Sequence, residues 1–304
     1  MISTQVTVGR SKALGYFIFV LLTCLLNGIS STALAFETHD DMGHTLTLSA
    51  PAQRIIALSP SITENLFAIG VGERIVGTTT YSDFPSAAKN IPIIGDYQSL
   101  DLERIAALKP DVIVAWQGGN SPAQLAALER LNIPVYFHRV QTLADIPLAL
   151  MRLAQLTGVE SNAAPIILNA YHVVPLLRDA PQPAVPTFYQ VWSAPLMTLN
   201  GSSWVSDALA RCGARNIFAD LPLTAPTVNV EDVLRLKPSI IATATPNAQP
   251  DDSLDNWKKW NDLPAVHAQN FIYTDADSMN RATLRTLTAT RELCTNIADM
   301  RQHL

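Results

Sequence analysis

The sequence predicts an α/β fold of two Rossmann-like lobes. Each has a mostly parallel central sheet, a long helix joins them, and a ligand cleft lies between. Three observations predict it. Short apolar, β-branched runs alternate with helical stretches, as in a parallel sheet covered on both faces. One strand–helix unit occurs twice: LDLERIAALKPDVIVAWQGG at 100–119 and VNVEDVLRLKPSIIAT at 228–243. Aligned without a gap, Leu102-Glu103 falls on Val230-Glu231, Lys109-Pro110 on Lys237-Pro238 and Val112-Ile113 on Ile240-Ile241, at a constant offset of 128 residues. That spacing is too long for a solenoid repeat and marks two similar lobes in one chain. Finally, residues 143–180 carry no strand signal and read as a helical connector.

Taken in order, the chain begins with an address. Arg10 and Lys12 precede the apolar run 13–28, and Ala33 and Ala35 frame a small-x-small cleavage site before Phe36. An uncleaved membrane anchor is the competing reading; the run is short for one. The expected organisation is a cleaved signal over 1–35, an amino-terminal lobe over 36–142, the connector over 143–182 and a carboxy-terminal lobe over 183–304.

In the first lobe, 36–49 reads as a hairpin turning at 40–43, and 54–58 as a buried strand. A helix over 62–69 follows, capped by Ser61 or Thr63 and ended by Gly70 and Gly72. Then come a strand over 75–79, the loop 81–85, the first copy of the repeated unit, a helix over 122–131 and a strand over 135–137. The connector reads as helices 146–156 and 164–177 about Gly158, with Pro175 set to kink or end the second. The second lobe reads as a strand over 187–191, a long loop over 192–203, a helix over 204–212 and the second copy of the unit. A polar loop over 246–255, a helical turn from Trp257, a strand over 270–273, a loop over 275–281 and a terminal helix over 282–300 complete it.

Composition narrows the function. With 48% apolar residues the chain is not disordered, and loss of Arg10 and Lys12 with the signal takes the net charge from -5 to -7. An acidic surface argues against nucleic acid and anionic lipid. Cys24 leaves with the signal; Cys212 and Cys294 remain, and in an oxidising compartment one disulfide is the economical reading, two buried thiols the alternative. No phosphate loop, nucleophile elbow or HExxH helix is present, and the six histidines are scattered, so neither a resident metal nor a cofactor is expected.

What the chain offers is aromatic side chains at strand ends and cleft loops: Tyr81, Tyr97, Trp116, Trp192 and Trp204. Each is also a candidate for plain core. Their joint placement beyond strand carboxyl ends favours a large flat ligand held by aromatic faces. Asp277 and Arg281, four apart, are read as polar contacts to a ligand rim or as a surface ion pair. Glu103 and Glu231 occupy equivalent positions in the two repeats. Each suits a helix amino terminus; their symmetry suggests docking points for a pseudo-symmetric basic partner.

These residues carry a resemblance. RIIALSPS from Arg54 with Thr63-Glu64, Val76-Gly77, Tyr81-Ser82-Asp83, and Leu102-Glu103-Arg104 through Asp111 resemble the helical-backbone periplasmic substrate-binding proteins of ABC importers for cobalamin, haem and ferric siderophores. TTTYSDFP at 78–85, LERIAALKPDVIVAWQGGN at 102–120 and CGARNIF at 212–218 look most like the vitamin B12-binding members. The resemblance implies a periplasmic, monomeric, non-enzymatic carrier that holds the corrin ring between its lobes and hands it to a permease dimer. It implies ligand contacts from Tyr81, Trp116 and the segment Asp277, Ser278, Met279, Asn280, Arg281, docking through Glu103 and Glu231, and a Cys212–Cys294 disulfide. Three features depart from those members: Tyr97 in place of a Trp, no aromatics between Asp277 and Arg281, and an unaligned loop from Trp192 to Trp204. The rivals are a haem or siderophore binder on the same scaffold, with Tyr81 or Tyr97 on iron, and an exported cleft hydrolase using Asp83, Asp277 and His138.

Overall fold

A computed structural model describes residues 1–2, 35–96, 98–177 and 183–304. Residues 3–34 of the proposed signal and Tyr97 therefore lie outside the described residues, and residues 36 to 304 form one compact unit.

Strand β1 (Phe36–His39) pairs antiparallel with β2 (Thr45–Leu48), the expected amino-terminal hairpin. Then β3 (Ile55–Ala57), helix α1 (Pro60–Ala68), β4 (Ile75–Thr78), α2 (Leu102–Ala107), β5 (Val112–Trp116), α3 (Pro122–Glu129) and β6 (Val135–His138) build the first lobe. Its sheet runs in the order β4-β3-β5-β6 with every pairing parallel. Helices α4 (Asp145–Thr157) and α5 (Glu160–Leu176) follow, with Gly158 left-handed at φ 66 ending α4. Pro165 and Pro175 both lie within α5, and the helix ends one residue after Pro175.

The second lobe holds β7 (Val185–Gln190), a two-stranded ribbon β8 (Trp192–Ser193) with β9 (Leu196–Met197), α6 (Trp204–Arg211), β10 (Ala214–Asn216), α7 (Val230–Leu236), β11 (Ile240–Thr245), α8 (Pro264–His267), β12 (Phe271–Asp275), α9 (Ala276–Met279) and α10 (Leu284–Arg301). Its sheet runs β10-β7-β11-β12, again wholly parallel. Numbered within each lobe, both orders are second, first, third, fourth. The duplication read at an offset of 128 thus maps third strand on third strand, β5 on β11. It extends to backbone detail, because Lys109 and Lys237 both take the left-handed region at φ 47.

The structure corrects four local readings. Helix α1 begins at Pro60 and is capped by Ser59, which accepts from the Ile62 amide at 3.2 Å, not by Ser61 or Thr63. Residues 192–203 are not one long loop but contain the β8–β9 ribbon. The segment 275–281 contains the short helix α9, because Asp275 caps it by accepting from the Ser278 amide at 3.0 Å. The turn expected to begin at Trp257 ends there, as a 3-10 helix over Asp252–Trp257.

The alternation of strand side chains explains the core. Ile55, Ala57, Val112 and Val114 face one way, Ile56, Ile113 and Ala115 the other. The first set joins α4, α5, α6, α10 and the inner residues Val185, Tyr189, Ile240 and Ala242 of the second sheet in one continuous core. Two separate cores cover the outer faces of the two sheets.

Candidate ligand-binding cleft

In a doubly wound sheet the crevice opens where neighbouring strands lead their connections in opposite directions. In the first lobe that point lies between β3 and β5, and Trp116 is the last residue of β5. Its amide donates to Asn120 Oδ1 at 2.7 Å, and Asn120 reaches across to the Leu58 carbonyl of the neighbouring strand end. The indole lies directly over Gly119, where a Cβ would fall 1.7 Å from the ring. Only glycine there leaves the tryptophan its place.

Trp204 begins α6 on the other lobe. Ser203 caps that helix, and the Trp204 indole N–H donates to the Met279 carbonyl at 2.8 Å. Trp116 and Trp204 together line a cavity of about 320 Å³, shared by the ends of β5 and β6, Met42 of the hairpin turn, Ser202, Ser203 and Thr224. Two indoles lining one cavity offer large apolar contact at small conformational cost.

Farther along the cleft, Arg281 joins the lobes. Its guanidinium donates to Asp83 at 2.8 Å on one side and to Asp277 at 2.9 Å on the other. Burial would raise the Asp83 carboxyl, but the Arg281 hydrogen bond and charge outweigh it and hold it below its ordinary value. Asp83 and Tyr81 share a turn fixed from beneath by hydroxyls: Thr63 to Thr78 at 2.6 Å and Thr78 to Ser82 at 2.8 Å. Tyr81 takes φ 64 and is 76% exposed, an unusual backbone for a bulky residue, of the kind that collects at ligand sites.

The remaining expected residues divide. Trp192 is 62% exposed on the β8–β9 ribbon, its indole turned onto the Ala194 carbonyl at 3.0 Å, and it does not line the cavity. Ser278 is engaged with Asp275. Met279 has no exposed surface and belongs to the central core, so what it brings to the cleft is the carbonyl that holds Trp204. Asn280 is exposed. Glu103 and Glu231 stand exposed in the first turns of α2 and α7, with no ion pair among the described residues. Cys212 and Cys294 form a disulfide. Among the described residues no group of three or more His, Cys, Asp and Glu is placed to hold a metal ion, and no helix is long and apolar enough to cross a membrane.

Sequence reasoning missed several groups. Arg139 and Gln141, just past β6, and Gln117, just past β5, line the cavity; the strand-end rule that singled out Trp116 covers them equally. It also missed the inter-lobe clasp in which Glu64 accepts from Thr283 at 2.7 Å and from Arg285 at 2.8 and 2.5 Å. His138 is buried beside Asp41, Nδ1 at 3.1 Å from the carboxylate but not aligned for a hydrogen bond. It is not presented to the cleft as a base, while Asp83 and Asp277 are both engaged by Arg281. The arrangement offers a shaped cavity with two indoles and, farther along the cleft, a bridging guanidinium.

Twin parallel α/β lobes around a shared aromatic crevice define a ligand-capturing carrier fold. The chain belongs to the periplasmic binding protein family, whose pattern residues 55–278 match. It is 36% identical over 258 residues to the vitamin B12-binding protein of Yersinia pestis (strain Pestoides F), covering 84% of this chain and 90% of that protein. It is similar to the crystal structure of a periplasmic vitamin B12 binding protein of Vibrio cholerae, with a TM-score of 0.75, 32% identity, and 83% and 98% of the two chains covered. A periplasmic haem-binding protein from Roseiflexus sp. RS-1 shares the fold, at a TM-score of 0.69 and 21% identity over 82% and 99% of the chains.

Proposed function

We propose that this protein captures cobalamin in the inter-lobe cleft, in the periplasm after removal of an export signal, and delivers it unchanged to an ABC-type importer of the inner membrane. The observation that carries the reading is that Trp116 of one lobe and Trp204 of the other line one cavity at the crevice, with the Asp83–Arg281–Asp277 bridge farther along the cleft. Two indole faces suit a broad planar macrocycle, and a guanidinium between two carboxylates suits the amide groups on its edge. Kinship to vitamin B12-binding proteins across most of the chain supports the same ligand.

The test is calorimetry of the 36–304 chain with cyanocobalamin and with haemin. Cyanocobalamin binds one to one, and Trp116→Ala weakens it by about tenfold or more, the loss expected for a central aromatic contact. Haemin binding with no response to cyanocobalamin overturns the assignment in favour of the haem reading.

Delivery rests on Glu103 and Glu231. They hold equivalent places ahead of the third strand of each sheet, so the duplicated fold presents one negative point per lobe to a partner with two matching basic points. Contacts of this type set orientation and encounter rate. Glu103→Arg with Glu231→Arg abolishes uptake by whole cells and leaves cobalamin affinity within about twofold, as expected of charges remote from the ligand. An equal loss of binding contradicts docking.

A further inference from the structure

We propose that Arg139 forms an anion-binding subsite of the cleft and takes the phosphodiester in the nucleotide tail of a complete corrinoid. This rests on the cobalamin reading and adds which part of the ligand enters which part of the cleft.

The cavity flanked by Trp116 and Trp204 measures about 320 Å³, at the lower end of the range for drug-sized ligands. It takes one edge of the corrin ring against the indoles together with the tail that leaves that edge, while the rest of the ring extends along the cleft toward Tyr81 and Arg281. Among the described residues that line it, Arg139 is the one ionisable side chain.

Its guanidinium touches neutral groups, the Gln141 side-chain oxygen and the Met42 sulfur at 3.9 Å, and makes no ion pair with a described carboxylate. The acids around this loop are committed to backbone and other partners: Asp145 accepts from the Gln141 and Thr142 amides at 3.0 and 2.8 Å. Asp41 accepts from the Arg139 backbone amide at 2.8 Å, from Tyr136 at 3.2 Å and from the Arg152 guanidinium at 3.1 Å, and it is buried. The hairpin turn thus fixes the Arg139 backbone and leaves its charge uncompensated on the cavity wall. On a chain of net negative charge, that cation is set apart from its surroundings.

The ligand's chemistry supplies one match. The corrin periphery carries neutral amides, whereas the tail carries a phosphodiester, a permanent anion with the planar two-oxygen edge that guanidinium recognises. Gln117, Ser202 and Thr224 line the same cavity and offer neutral donors and acceptors for the ribose beside that phosphate. Arg281 cannot serve, because two carboxylates already engage it.

The experiment compares cyanocobalamin with dicyanocobinamide, which keeps the corrin ring and lacks the phosphodiester and nucleotide. Both are titrated into wild type, Arg139→Gln and Arg139→Lys at low and high salt. Arg139 is exposed, so the fold is retained, and the thermal midpoint of each variant checks this. Arg139→Gln weakens cyanocobalamin by about 5- to 10-fold and leaves dicyanocobinamide unchanged, the size expected of one charge-assisted contact at a partly wet site. Arg139→Lys recovers part of that loss, and added salt reduces the wild-type preference for cyanocobalamin but not that of Arg139→Gln. Equal losses for both ligands, or none for either, overturn the subsite and leave the cobalamin reading standing. Wild type that binds neither corrinoid overturns both.

Discussion

At the scale of the residue, Asp41 shows how the cavity wall is held. Burial alone would raise its carboxyl, but His138, the Arg139 amide and the Arg152 guanidinium together hold it below the ordinary value of 3.8. Tyr136, which donates to it, is pushed well above 10, first by its own burial and then by the Asp41 charge. A depressed carboxyl adds stability that is complete above the unfolded value of 3.8 and lost as the pH falls through the lower folded value. Asp41→Asn therefore lowers unfolding stability at neutral pH by about 3 kcal/mol, the cost of leaving its buried partners without their charge. It also flattens the acid limb of the stability profile below pH 3.8. Denaturant titrations from pH 7 to pH 2 measure both effects. A neutral-pH loss with an unchanged acid limb shows that other carboxylates govern acid unfolding.

At the scale of the element, the disulfide ties the end of α6 to the middle of α10 across 82 residues of chain. Closing a loop of that length restricts the unfolded chain by about 4 kcal/mol in the chain-entropy account, and measured effects are often smaller. Replacing both Cys212 and Cys294 by serine costs about 3 kcal/mol. Dithiothreitol lowers the melting midpoint of wild type as far as the double substitution does and leaves the double variant unmoved; a shift in the double variant as well removes the disulfide as its cause. Elements of this size were legible in the sequence because strands buried on both faces, such as Val112 to Ala115 and Ile240 to Ala242, are unbroken apolar runs. The two-residue strands β8 and β9 have no room for a period and were not legible. In the cleft, the place of Trp116 was legible from its position at a strand end, whereas Trp204, at the start of a helix, carried no strand-end signal and was grouped only with the cleft-loop aromatics. The Asp83–Arg281 and Glu64–Arg285 contacts were not, since they join residues 198 and 221 apart and leave no local pattern. Arg139 was passed over because a charge at a strand end reads as a solvated side chain until the cavity around it is seen.

At the scale of the whole molecule, the question is how far the lobes move. One core runs without a break from the first sheet through α4 and α5 to the second, so separating the lobes would expose apolar surface from both. Polar clasps lie across the same junction. Glu64 takes Thr283 and Arg285, Asn65 donates to the Ala282 carbonyl at 3.2 Å, and Arg285 stacks on Phe84 at 4.0 Å. The Glu64 bond raises the Arg285 guanidinium above its ordinary value, so the guanidinium stays charged across the whole physiological range. A hinge needs a segment whose contacts are few, and among the described residues neither α4 and α5 nor these clasps provide one. Spin labels at Arg130 and Lys259, exposed on opposite lobes, then give a narrow distance distribution. Saturating cyanocobalamin shifts it by less than about 2 Å, in the range of pre-organised complexes. Glu64→Gln keeps the shape of the side chain but removes its charge; it broadens the unliganded distribution, and ligand narrows it again. A ligand-driven shift of the wild type well beyond that range means that the continuous core yields, and the cleft described here is one of two working states.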